Sequence, residues 1–205
     1  MSQIITFVAI AAVIVIGLTI AAIFIRKYHL KEKIHQMLSD NFGMRGSFIN
    51  EKRFQLRGWA DDYKLTIQSI RIPESEAAKE EGNAIKFALP MVNPMRKCLR
   101  IVKEDAQHPE ISNYIPLDKL LVVKHDMGDW LKINTNDLVF SSLVLSENAR
   151  ISVHDALKNL PHGAIMYIQD EELACIIPSL LKKEAQLEGF YKIVNALKDM
   201  KDELN

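Results

Sequence analysis

Not one ionisable side chain occurs among the first 25 residues of this 205-residue chain. That absence removes the basic leader of a secretory signal, and the apolar run is longer than the roughly 7–15 residues such a signal uses. Cleavage after Ala21-Ala22 would leave Ile23-Phe24-Ile25 as an apolar stub, so the segment is expected to stay attached. Cysteine is scarce as well. Cys98 and Cys175 sit far apart in apolar surroundings, Lys-Cys-Leu-Arg and Leu-Ala-Cys-Ile-Ile, which suits buried reduced thiols in a cytosolic compartment. A disulfide between them would fit the opposite topology. An excess of either charge is missing too: the 26 basic and 26 acidic side chains all follow residue 25 and cancel. No net field draws nucleic acid or acidic substrates, so nucleic-acid binding is not expected.

What is present begins with an anchor. Residues 4–25 are apolar apart from Thr6 and Thr19, and as a helix of about 22 residues they would extend roughly 33 Å, enough to cross a bilayer core. Arg26, Lys27, Lys31 and Lys33 follow at once, with Glu32 the one acid among them, and such clusters stay on the cytoplasmic side. The expectation is a single-pass transmembrane helix in the plasma (inner) membrane, N-terminus outside and the bulk of the chain cytoplasmic. The basic cluster reads as an ordinary topology marker before it reads as a headgroup site. Gly17 and Ala21 fit a small-xxx-small spacing, which allows a homo-oligomer paired through the span.

Three regions are expected: an anchor and juxtamembrane cluster over 1–29, a connecting helix over 30–45 broken by Gly43 and Gly46, and a soluble α+β domain over 46–205. Phe54 and Leu56 alternate with Gln55 and Arg57, and Asp61-Asp62 turns the chain into Tyr63, Leu65 and Ile67, the pattern of a half-buried hairpin. Ile70 and Ile72 lie on the other parity from Ile67, which predicts a bulge near Gln68-Ser69. Residues 73–83 form a polar, acidic excursion without the ligand spacing of a calcium loop. Ile85, Phe87 and Leu89 alternate again, and residues 99–102, 120–123, 130–133 and 138–145 read as further strands. Ser152 predicts a cap for a short helix over 153–160, with Asp155 in its first turn. Residues 164–168 and 173–177 predict a hairpin. Leu187, Phe190, Val194 and Leu197 mark one stripe of a closing helix introduced by Pro178-Ser179. Strands grouped ahead of helices predict a mostly antiparallel sheet covered by helices on one face.

Two short motifs, Gly46-Ser-Phe-Ile-Asn-Glu-Lys-Arg53-Phe-Gln-Leu56 and Asn136-Asp137-Leu-Val-Phe140-Ser141, occur in this order after the span. With that order of parts the chain resembles a broad group of uncharacterised bacterial single-span membrane-anchored proteins. It departs from their pattern at Lys52, where a Gly precedes the Arg, and at Ser141, where a second Asp stands. The resemblance implies membrane placement and an α+β fold; it carries no activity.

Chemistry is thinly marked. Lys124-His125-Asp126, with Asp129 nearby, follows an apolar strand, where loops often hold catalytic groups, and a His beside carboxylates can act as a general base or metal ligand. In a turn the same residues simply solvate. His154-Asp155 and His162 lack the i, i+4 spacing of a helical zinc site. Ser141-Ser142 lacks the glycines of a nucleophile elbow, and Gly43-Met-Arg-Gly46 follows a helix where a phosphate loop would open one. Trp59, exposed by strand parity, is either a contact residue or the cover of a sheet edge. The leading expectation is a non-enzymatic, membrane-tethered interaction module without cofactor or metal, partnered by another membrane or envelope protein. The alternative is a membrane-associated enzyme built around His125, Asp126 and Asp129.

Overall fold

The computed structural model describes residues 15–25, 28, 32, 36, 38–40, 42–50, 53–72, 82–93, 96–103, 120–161, 163–178 and 186–204. The strands are β1 (Arg45–Asn50), β2 (Arg53–Ala60), β3 (Tyr63–Ile72), β4 (Gly82–Pro90), β5 (Leu99–Lys103), β6 (Leu121–Val122), β7 (Leu131–Thr135), β8 (Ile165–Gln169) and β9 (Glu172–Ile177). The helices of the domain are α1 (Leu138–Val144), α2 (Glu147–Lys158) and α3 (Gln186–Asp202). The strands form one sheet of order β1-β2-β3-β4-β9-β8-β5-β7-β6, antiparallel at every pairing. This is the expected α+β class.

Strand parity decides the two faces of the sheet. Leu56, Leu65, Ile67, Phe87, Leu89, Ile101, Ile133, Met166 and Cys175 point to one side, where Val153, Leu157, Phe190, Ile193 and Leu197 of α2 and α3 close over them. Each such side chain contributes on the order of 1.5–3 kcal/mol by leaving water. Phe87 and Phe190 meet edge to face at 4.8 Å, tying β4 to α3. On the opposite face the central strands carry a smaller cluster of Ala84, Ala88, Val102, Ile165, Tyr167, Ala174 and Ile176.

Several expectations need correction. No bulge restores Ile70 to the helix-bearing face: β3 and β4 stay in register from Thr66↔Ala88 to Ile72↔Gly82, so Ile70 lies opposite Ala84 and packs on the smaller cluster. The parity change at Ile67–Ile70 therefore records a strand buried on both faces. An irregularity does occur in β1, between Phe48 and Asn50. Residues 138–144 form a helix where a strand was expected, because Asp137 accepts from the Phe140 amide and starts a turn that buries Ser141 and Val144 together. Ser146, not Ser152, caps α2, so Asp155 lies well past the first turn, where it faces Lys192 of α3 at 3.8 Å. Ser152 instead bonds Asp199 across the α2–α3 contact. The hairpins β2–β3 and β8–β9 form as expected, and the 120–123 strand shortens to the exposed edge pair Leu121–Val122.

Residues 15–25 are helical, and Val15, Ile16, Leu18, Ile20, Ile23, Phe24 and Ile25 are each at least 50% exposed. Residues 4–14 of the expected span, most of the 73–83 excursion, His162 and Pro178's successors to 185 lie outside the described residues. Among the described residues no helix is long and apolar enough to cross a membrane. Leu38 and Phe42, at the end of the connecting region, are buried in the helix-side core, with the Phe42 ring tilted 37° against Tyr191 of α3 at 4.9 Å.

Candidate functional site

The turn between β6 and β7 holds the residues with the most reactive side chains. His125 Nε2 lies 3.1 Å from the Leu131 carbonyl, and Nδ1 accepts from the Met127 amide at 3.2 Å. A carbonyl oxygen can only accept, so Nε2 carries the proton and Nδ1 presents its lone pair to the amide. Both ring nitrogens are thus taken up by main chain two and six residues away, and the ring clamps the turn that Gly128, at φ +95, closes. Asp126 pairs with Arg150 of α2 at 2.9 Å, and Asp129 is exposed. Of the three, only Asp126 lines the neighbouring groove. Beside them a groove of about 540 Å³ runs between the 126–128 turn and α2, with Asp126, Arg150, His154 and Asp155 on its walls. His154 packs its ring 5.3 Å from Trp130. Lys103 Nζ lies 5.6 Å from the Trp130 ring centroid and donates to the carbonyls of Lys158 and Leu160, neutralising the C-terminus of α2. Among the described residues no group of three or more His, Cys, Asp or Glu side chains could hold a metal ion.

Buried polar chemistry elsewhere is structural. Thr135, fully buried, donates to the Cys98 carbonyl at 2.7 Å, and Asn136 Oδ1 accepts from the Cys98 amide at 2.7 Å, so the strand ends of β5 and β7 are clasped by side chains. Burial raises the Cys98 thiol, with the Asp170 charge adding to it, and burial alone raises Cys175. The two thiols are free and pack on opposite faces of the sheet. Arg100 is buried on the smaller-cluster face, where burial lowers its guanidinium and its Nε has no hydrogen-bond partner among the described residues.

The larger opening lies on the face without helices. A cleft of about 840 Å³ spreads over β1, β2 and β3, reaching the β8–β9 turn. Its floor follows from parity and register. Arg45 stands opposite Arg57, Trp59 opposite Lys64, and Gln55 opposite Gln68, each pair on the outer face. Trp59 is 54% exposed, Lys64 Nζ lies 5.9 Å from its ring centroid, and the Gln55 amide donates to Gln68 Oε1 at 3.2 Å. Neither Arg45 nor Arg57 has an ion pair among the described residues. Glu172 on the far rim is engaged by Lys86 at 2.5 Å and by the Tyr167 hydroxyl at 2.7 Å. Strand parity alone exposes Arg57 and Trp59; Arg45 joins them only through the β1–β2 register, which the sequence does not spell out.

No protein-family model matches the chain, and no curated protein matches it. Among solved structures the chain is similar to the crystal structure of the mycobacterial trehalose monomycolate transport factor A, TtfA, at a TM-score of 0.52 and 10% identity, over 88% of this chain and 93% of that one. At that identity the likeness is one of fold.

Proposed function

We propose that this chain is a single-pass protein of the bacterial inner membrane whose cytoplasmic α+β domain acts as a non-enzymatic interaction module for another membrane or envelope protein. The observation that carries the reading is the helical stretch 15–25, whose large apolar side chains are all at least half exposed. A contiguous apolar surface of that kind needs a cover, and the uncharged sequence from Ile4, apolar apart from Thr6 and Thr19, makes the bilayer the natural one. The basic residues after Ile25 orient the domain inward. The domain then offers an open, aromatic and basic cleft as its contact surface. Catalysis by His125, Asp126 and Asp129 has less support, because the His125 ring is committed to main-chain partners and Asp126 to Arg150.

Alkaline extraction of membranes tests the tether. The full chain should stay with the membrane pellet, and a Leu18→Glu/Ile20→Glu variant should move to the soluble fraction; release of the natural chain would end the reading. Protease added to spheroplasts should leave the domain intact, and its digestion would reverse the orientation. A Cβ at Gly17 would meet nothing within 4 Å, so Gly17 and Ala21 are open to pairing between spans. Gly17→Leu should then reduce cross-linked dimer.

A further inference from the structure

We infer that the cleft on the helix-free face is a receptor for an acidic segment of the partner protein, gripped by Arg45 and Arg57 and flanked by Trp59 and Lys64. This rests on the interaction-module reading and names the chemistry of the partner. The central observation is the cross-strand pair Arg45↔Arg57. Neighbouring strands lie about 4.8 Å apart, and like charges directly opposite one another destabilise a sheet. Arg45 and Arg57 both line the cleft, and neither forms an ion pair among the described residues. Gly46, at φ +148, lies so close to β2 that a Cβ there would come 2.2 Å from the Gln55 carbonyl oxygen, so this register requires a glycine next to Arg45.

The charge is local. The whole chain is formally neutral, yet three cations, Arg45, Arg57 and Lys64, border the cleft against Glu171 and Glu172, and Glu172 already answers Lys86. Two adjacent guanidiniums can each present a planar fork to a carboxylate, and the exposed face of Trp59 can take an aromatic or aliphatic neighbour of that carboxylate. A partner protein fits better than the chain's own bilayer. Leu38 and Phe42, between the span and β1, are buried in the helix-side core, and of residues 38–44 the cleft is lined by Gly43 alone.

The test uses the full chain in detergent with a fluorescein-labelled decapeptide of alternating glutamate and tyrosine, and a decapeptide of alternating lysine and tyrosine as control. The glutamate peptide should bind, the lysine peptide should not, and binding should weaken with added salt. Arg45→Gln/Arg57→Gln should weaken it about tenfold or more, as should Trp59→Ala to a smaller degree. The arginine variant should melt no lower than the natural chain, because it removes a repulsion, and this separates lost binding from lost folding. Equal binding of the two peptides, binding of neither, or an unchanged affinity in the arginine variant would overturn the assignment. So would arginine-dependent binding of phosphatidylglycerol vesicles without peptide binding, which would make the cleft a headgroup site. A chain that leaves the membrane on alkaline extraction yet binds the glutamate peptide loses its tether and keeps its receptor.

Discussion

Lys97 and Asp137 form an ion pair that also starts a helix: Asp137 Oδ2 takes the Lys97 ammonium while Oδ1 accepts from the Phe140 amide at 2.9 Å. Asn93 brackets the same loop, donating to the Lys97 carbonyl at 2.7 Å and accepting from the Lys97 amide at 2.9 Å. One carboxylate thus caps α1 and holds the loop ahead of β5 against it.

The pairing makes stability depend on acid. The hydrogen bond from Lys97, and after it that from the Phe140 amide, lower the Asp137 carboxyl below its ordinary 3.8. A carboxyl lowered in the folded state contributes stability that is fully present above its unfolded value and is lost as pH falls through the folded one. The melting temperature of the natural chain should therefore fall below about pH 4 more steeply than that of Asp137→Asn, which keeps a capping oxygen without a charge. Parallel acid curves for the two proteins would refute this.

Gly58 is a point where the end of the connecting region touches the sheet. A Cβ there would lie 2.4 Å from Met44 Sδ and 2.5 Å from the Phe42 carbonyl oxygen. The main-chain contact cannot rotate away, so Gly58→Ala should cost about 1–3 kcal/mol in urea denaturation, the usual range for overpacking. A neutral result would mean that residues 42–44 are free to move off β2.

His125→Ala removes both main-chain clamps of the turn before β7. Leaving the Met127 amide and the Leu131 carbonyl without their partner should cost about 1–3 kcal/mol. The measurement pairs denaturation with a cellular phenotype assay. Lost function at unchanged stability would revive the enzymatic reading; lost stability with function retained in the folded fraction agrees with the clamp.

The thiols should respond in sequence. Burial raises both, Cys175 more than Cys98, and a thiol reacts through its thiolate. In the folded chain a disulfide reagent should label Cys98 slowly, with a rate that climbs as pH rises, and reach Cys175 only on unfolding. Equal rates for the two in the native protein would show that the sheet opens far more readily than its core packing implies.

The α+β class, the hairpins β2–β3 and β8–β9 and the buried stripe of α3 were legible because each is set by local periodicity: side chains two or three to four residues apart share a face whatever the rest of the chain does. Residues 138–144 misled because Leu138-Val139-Phe140 and Leu143-Val144-Leu145 satisfy a two-sided strand as well as a helix, and the Asp137 cap that starts the helix also reads as a turn residue between strands. Ser152 misled for a related reason: its hydroxyl is used by Asp199 on α3, not by its own helix.

By itself the sequence determined the apolar run, the charge step after it and the alternation of the strands, since these depend only on side-chain chemistry and on neighbours along the chain. Tertiary structure decided the rest. Strand register set Arg45 against Arg57, and the fold of the turn turned His125 toward the main chain. Register and ring orientation follow from contacts between residues distant in sequence, where many alignments share the same local pattern and close packing permits one.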